Sequence, residues 1–108
     1  MGEGYYWERY GQFEGLTRLD EVELDNEPYQ FYILAVWKDE AGLYYLATDS
    51  GCSCPTPWES TTRDELTGPL TANDAREEAT SLIDGARGHR YSAGPREDDV
   101  TEFLANIV

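Results

Sequence analysis

The residues best suited to chemistry lie in a short segment that combines two cysteines with carboxylates. Cys52 and Cys54 are separated by one residue, and Asp49 and Glu59 stand on either side of them. Together with His89, the single histidine, they supply the thiolate, carboxylate and imidazole groups that bind zinc. Because the Cys-x-Cys spacing is shorter than zinc sites usually have, we predict no metal and no cofactor. A zinc site at Cys52, Cys54 and His89 is the alternative.

The same thiols could serve as a nucleophile or as small packing groups. A nucleophile needs a base, so His89 would have to reach Cys52 or Cys54 across the fold. The sequence contains no local signature of such an enzyme, no phosphate-binding glycine loop and no metalloprotease motif. In the other interpretation, Gly51 and the prolines set the turn and the small thiols pack beneath it. An exposed loop of fixed shape could also be an interaction surface. We therefore predict no catalytic residues and an interaction loop. The residues of this predicted loop are Asp49, Ser50, Gly51, Cys52, Ser53, Cys54, Pro55, Pro57, Trp58 and Glu59.

The chain of 108 residues is strongly acidic, with 22 Asp and Glu against 8 Lys and Arg and a formal net charge of −14. Direct nucleic-acid binding is disfavoured, because it depends on basic side chains that displace counterions from phosphates. Residues 1–28 carry 8 acids and 2 bases, and residues 59–85 carry 7 and 2. We predict that these blocks face a partner protein with a basic surface. The residues of this predicted acidic face are Glu21, Glu23, Asp25, Glu27, Asp74, Glu77 and Glu78.

Two interpretations of this acidity remain open at the level of the sequence. Alternate acids on one strand recur at about 6.8 Å, twice the strand rise, and such a row could imitate a phosphate backbone in the DNA groove of a host protein. In the other interpretation, the charged residues are the solvated faces of an edge strand and two helices, which also discourage aggregation.

The elements that position these residues begin with a hairpin at about residues 29–49. Residues 29–37 are dense in aromatic and β-branched side chains, a turn containing Gly42 follows, and residues 43–48 return as the second arm. Upstream, Val22 and Leu24 alternate with acids, as in an antiparallel edge strand. The predicted sheet is therefore a three-stranded antiparallel meander.

Two helices are predicted after the sheet, at about residues 72–84 and 96–107, and the fold class is α+β. Thr71 and Asp74 have N-cap spacing, Gly85 is interpreted as the C-terminal stop of this helix, and Thr62 and Glu65 have capping-box spacing for a short turn. The second helix carries an apolar stripe of Val100, Phe103, Leu104, Ile107 and Val108.

These elements are expected to form one domain over residues 1–108. Its parts are a sheet at about 16–50, the Cys/Pro loop at 49–59 and a helical part at about 62–108. The helices would cover one face of the sheet, and N-terminal aromatic side chains would cover the other. These aromatic residues are Tyr5, Tyr6, Trp7, Tyr10 and Phe13.

A resemblance adds to this interpretation. The hydrophobic hairpin, followed by the motif Asp-Ser-Gly-Cys-Ser-Cys-Pro-x-Pro at residues 49–57, an aromatic residue and Glu59, resembles a family of small uncharacterised proteins. These proteins are encoded by phages that infect actinobacteria. The resemblance covers roughly residues 7–66, and it implies a phage or actinobacterial origin without assigning an activity.

Composition also bears on the compartment and on the class of function. The longest apolar run, residues 31–37, has seven residues, far below the roughly 18 needed to cross a bilayer. The acidic and aromatic start of the sequence is unlike a signal peptide. We predict a cytoplasmic, non-enzymatic protein that binds a host or phage protein. The alternatives are a DNA-mimic inhibitor of a host nucleic-acid-binding protein and a small zinc-binding protein.

Overall fold

An antiparallel sheet with two helices on one face makes up the described part of the chain. The computed structural model describes residues 12–24, 30–52, 61–87 and 95–107, and the structural statements below refer to these residues. The predicted α+β class is confirmed. The elements are β1 (Leu16–Glu23), β2 (Gln30–Asp39), β3 (Tyr44–Cys52), a 3-10 turn (Arg63–Glu65), β4 (Thr67–Leu70), α1 (Ala72–Arg87) and α2 (Glu97–Ala105).

The strands pair in the order in which they occur along the chain, β1-β2-β3-β4. The predicted hairpin is confirmed, with Leu34 opposite Thr48 and Ala35 opposite Ala47. β1 is an edge strand, as its alternating pattern predicts, and its register with β2 shifts between Arg18 and Asp20. The sheet is therefore a meander in which β2 and β3 are central and β1 and β4 lie at the edges.

The prediction of three strands is wrong, because β4 adds a fourth within the segment expected to be helical. β4 is four residues long and contains Gly68 and Pro69, joined by a cis peptide bond. Both residue types are poor strand formers, and proline is tolerated only where no ladder hydrogen bond is needed, such as an edge. Local propensity therefore gives no strand signal here, and pairing of β4 with Tyr44 and Leu46 of β3 creates the strand.

Both faces of the sheet carry a buried apolar cluster. The cluster on the helical face consists of Val22, Leu24, Leu34, Val36, Tyr44, Leu46, Ala75, Ala79, Ile83, Ala86, Val100, Phe103 and Ile107. The cluster on the opposite face consists of Ile33, Ala35, Trp37, Tyr45, Ala47 and Leu66, with Phe13 and Leu16 packed against it. Phe13 meets Trp37 edge-on, with ring centroids 5.3 Å apart, as expected for a residue covering this face. The other four aromatic residues predicted to cover it lie outside the described residues.

α1 begins where its N-cap predicts and ends later than expected. The amide of Asp74 donates to the Thr71 hydroxyl oxygen at 3.2 Å. The helix continues through Gly85 to Arg87, so the prediction of a stop at Gly85 is wrong. Ala86 is buried in the helical-side cluster, and its packing offsets the cost of about 1 kcal/mol that glycine brings to a helix interior.

α2 is tied to both β1 and α1. Val100, Phe103 and Ile107 of the predicted stripe are buried. The Arg76 guanidinium of α1 donates to the Ile107 carbonyl oxygen at 2.7 Å, and the Asn106 amide group donates to Asp20 Oδ2 at 3.0 Å. The two helices therefore form one layer on one sheet face.

The turn between β2 and β3 is organised by the carboxylate of Asp39. Its Oδ1 accepts from the amides of Leu43 and Ala41, each at 2.9 Å, and its Oδ2 accepts from the Tyr45 hydroxyl at 3.1 Å. The Leu43 amide, above all, holds the pKa of the Asp39 carboxyl below its ordinary value of 3.8. Partial burial opposes this effect, and the Tyr45 hydroxyl and the Ala41 and Gly42 amides reinforce it.

We expect this turn to make the stability of the protein depend on pH in the acid range. Because the pKa of Asp39 is lowered on folding, its contribution is fully present above the unfolded value of 3.8 and is lost as the pH falls through the folded pKa. The difference in unfolding free energy between wild type and Asp39→Asn should be constant near neutral pH and shrink below 3.8. Urea denaturation across this pH range measures it, and a difference that grows on acidification would contradict the assignment.

Candidate protein-interaction site

The outer surface of the helical layer carries a concentrated set of acids. The two helices contain eight carboxylates and two arginines, and all eight carboxylates belong to exposed residues. Spacings of three and seven residues return to one face of a helix, so Asp74, Glu77 and Asp84 lie together, away from the buried stripe of α1. We call the eight exposed acids of both helices the helical acidic face. Its residues are Asp74, Glu77, Glu78, Asp84, Glu97, Asp98, Asp99 and Glu102.

The acids of β1 do not join this face. Val22 and Leu24 belong to the cluster under the helices, and alternation along the strand places Glu21 and Glu23 on the opposite side of the sheet. Glu23 is exposed, whereas Glu21 is half-buried. The sheet therefore separates the strand residues of the predicted acidic face from its helix residues, so the predicted residues lie on two surfaces. Asp25 and Glu27 lie outside the described residues.

The predicted interaction loop is described only where it leaves the sheet. Asp49 and Ser50 are the last residues of β3 with described side chains, and the Ser50 amide donates to Asp49 Oδ1 at 3.0 Å. Gly51 and Cys52 complete the strand. The other members of the loop lie outside the described residues. They are Ser53, Cys54, Pro55, Pro57, Trp58 and Glu59.

The zinc alternative falls mainly on residues that the structure does not describe, since Cys54 and His89 are among them. Within the described ranges, no group of three or more His, Cys, Asp or Glu residues is arranged to hold a metal ion. In the same ranges, no helix is both long enough and apolar enough to cross a membrane.

A cleft lies at the edge of the sheet beside Thr67, where β4 begins, with a volume of about 370 Å³. Because β4 pairs only with the first part of β3, none of the described strands pairs with this edge of β3 beyond Leu46. α1 and the 3-10 turn flank the gap. The residues that line the cleft are Leu46, Ala47, Thr48, Asp49, Thr61, Glu65, Thr67, Glu78 and Leu82.

The lining of the cleft combines buried apolar residues with exposed polar ones. Leu46 and Ala47 are buried, Leu82 is half-buried, and Glu65 and Glu78 are exposed. Glu65 is held in place because its Oε1 accepts from the Thr62 amide at 2.7 Å, confirming the capping-box prediction at the 3-10 turn. None of the described residues lining the cleft is basic.

The cleft joins residues that the sequence placed in separate sites. Asp49 was predicted in the interaction loop and Glu78 on the acidic face, yet both line the same cavity. Thr48, Thr61, Thr67 and the other lining residues were not predicted as site residues. Among these unpredicted lining residues, only Glu65 had a local sequence signal, which was its capping-box spacing. No local pattern indicated that β4 would pair with β3 only as far as Leu46.

Comparison with known proteins shows a family match over most of the chain. A family model described as a domain of unknown function (DUF7574) matches residues 5–107. This match includes both helices, beyond the residues 7–66 over which the motif resemblance extends, and it confirms that the family is uncharacterised. No curated protein and no solved structure matches the chain.

Proposed function

The chain belongs to the DUF7574 family, a domain of unknown function, and we propose that it is a non-enzymatic binding module for a partner protein with a basic surface. The observation that carries the proposal is the helical acidic face, where eight exposed carboxylates share one layer with two arginines. Association with a basic surface is steered by such a field, and charge complementarity selects the partner.

One hydrogen bond and the shared core support the helices as the binding surface. The Arg76 guanidinium donates to the Ile107 carbonyl oxygen, which links α1 to the C-terminal end of α2. The buried stripe of α2 fixes its acids relative to those of α1 through the shared core. The carboxylates are therefore held by a rigid layer, which lowers the cost of ordering them on binding.

In its finer form, the proposal makes the chain a phage-encoded protein that acts on a host or phage protein, with residues 49–59 as a second contact surface. The DNA-mimic alternative makes the partner a nucleic-acid-binding protein. The outward acids of α1 favour this alternative, because Asp74 and Asp84 span about 15 Å of helix with Glu77 between them. Such a row could occupy a groove that normally receives phosphates.

We expect neutralisation of the helical acidic face to weaken capture of the partner. The variant Asp74→Asn, Glu77→Gln, Glu102→Gln removes three exposed charges from it. At about 0.5 kcal/mol for each lost pair, capture from an actinobacterial lysate should fall about tenfold near 50 mM salt. Quantitative mass spectrometry of the eluates measures the loss, and wild-type capture should also collapse near 1 M salt, where the screening length is about 3 Å.

The matched control neutralises three acids that lie outside both helices. Glu14, Glu40 and Asp64 are exposed residues outside both helices, and their conversion to Gln, Gln and Asn leaves the helical acidic face intact. Equal loss of capture in both variants would indicate a net-charge effect and contradict a defined binding face. Double-stranded DNA and heparin, added as competitors at equal charge, separate the alternatives, because DNA should release the captured protein more readily than heparin only if the chain mimics DNA.

A further inference from the structure

We propose that the cleft between β3 and α1 receives the side chain of an arginine from the basic partner. This inference rests on the proposed function and names the contact that anchors it. The cleft is a concave site about 370 Å³ in volume, at the lower end of the range for ligand pockets. Its size therefore suits one long side chain better than a nucleotide-sized cofactor.

The chemistry of the cleft follows that of an arginine side chain from stem to head. Leu46 and Leu82, which both belong to the apolar cluster on the helical face of the sheet, offer apolar contact for the methylene stem. The carboxylates of Glu65 and Glu78 stand nearer to solvent, where the charged head would lie. The cleft therefore offers both kinds of contact that an arginine side chain needs, which neither a purely charged surface nor a purely apolar pocket would offer.

Guanidinium fits this arrangement better than ammonium does. It presents five donors in a planar fork and is less strongly hydrated, so it loses less on entering a partly apolar site. The acceptors of the cleft include three carboxylates and three threonine hydroxyls, contributed by the central sheet, by the residues around the 3-10 turn and by α1. Because these acceptors come from several elements, a fork of donors can reach more of them than a single ammonium can.

Charge complementarity supports a cationic occupant. None of the described lining residues is basic, and the nearby Arg63 lies over the Tyr45 ring at 4.5 Å from its centroid. The charge of the described lining is therefore negative, which favours a cationic occupant. The cleft lies beside the helical acidic face and shares Glu78 with it, so a partner bound to the helices would be placed to insert a side chain here.

The test uses a defined probe with the full-length protein. A capped peptide with one arginine between glycines is titrated into labelled protein, and amide shifts are followed by NMR. We expect saturable shifts at Thr48, Thr67 and Glu78 and none from the same peptide with citrulline, the neutral isostere. Glu78→Gln should weaken binding about fivefold, whereas Glu40→Gln, at an exposed acid outside both the cleft and the helical acidic face, should leave the affinity unchanged.

Several outcomes would overturn the inference. Equal shifts with citrulline would show that charge is not recognised, and shifts confined to Asn73 and Thr80 would place the probe on the outer helix surface. Equal weakening by Glu40→Gln and Glu78→Gln would show a general charge effect. If the probe fails to bind while the triple helix variant still loses lysate capture, this inference falls and the proposed function stands. If neither effect is seen, both fall.

Discussion

Replacement of Phe103 by alanine is expected to lower the free energy of unfolding by about 3–5 kcal/mol. Phe103 is fully buried at 0% exposure, and it belongs to the cluster that joins α2 to the sheet. Removing its ring takes away apolar contacts and leaves a cavity that surrounding side chains fill only in part. Since the total free energy of unfolding of a native protein is about 5–15 kcal/mol, this single change removes a large share of the stability.

The measurement is urea denaturation followed by circular dichroism, with Glu102→Ala as the matched control. Glu102 precedes Phe103 on the same helix and is exposed, so its replacement should change stability by no more than about 0.5 kcal/mol. A cost for Phe103→Ala as small as that of the control would mean that α2 does not pack on the sheet. The helical acidic face would then lose the rigid layer on which the proposed function depends.

Gly68→Ala is expected to destabilise the protein by about 1–3 kcal/mol. A Cβ at this position would lie 2.6 Å from the Tyr44 carbonyl oxygen and 2.7 Å from Cδ2 of Tyr45, closer than such atoms approach. The first obstacle is backbone, so relief requires β4 to shift away from β3. Because Thr67 of β4 lines the cleft, the same shift should also weaken binding of the arginine probe.

Gly85→Ala provides the matched control, and the expected change has the opposite sign. A Cβ at Gly85 meets no atom within 4 Å, and the residue lies within α1. Alanine should therefore stabilise the protein by about 0.5–1 kcal/mol through helix propensity and a less flexible unfolded chain. Denaturation curves of the two variants measure the contrast. Destabilisation by Gly85→Ala would contradict the helical conformation at this residue.

Much of the fold could be predicted because its signals are local. The hairpin of β2 and β3 follows from a run of β-branched and aromatic residues around a turn, and the stripe of α2 follows from helical spacing. β4 could not be predicted this way, since glycine and proline give no strand signal and the pairing partner is more than 20 residues away, as Tyr44 opposite Leu70 shows. The end of α1 at Arg87 also depends on a tertiary contact, because burial of Ala86 overrides a local stop signal at Gly85.

The sequence by itself determined that this protein is acidic, that its net negative charge is concentrated in two blocks and that it combines a hairpin with two amphipathic helices, because charge and periodicity are properties of the chain. Only the tertiary structure decided which acids share a surface. Alternation places Glu21 and Glu23 on the sheet face opposite the helices, while packing of α1 brings Glu78 to the same cleft as Asp49. Charge is additive along a sequence, but a binding site depends on which elements meet in space.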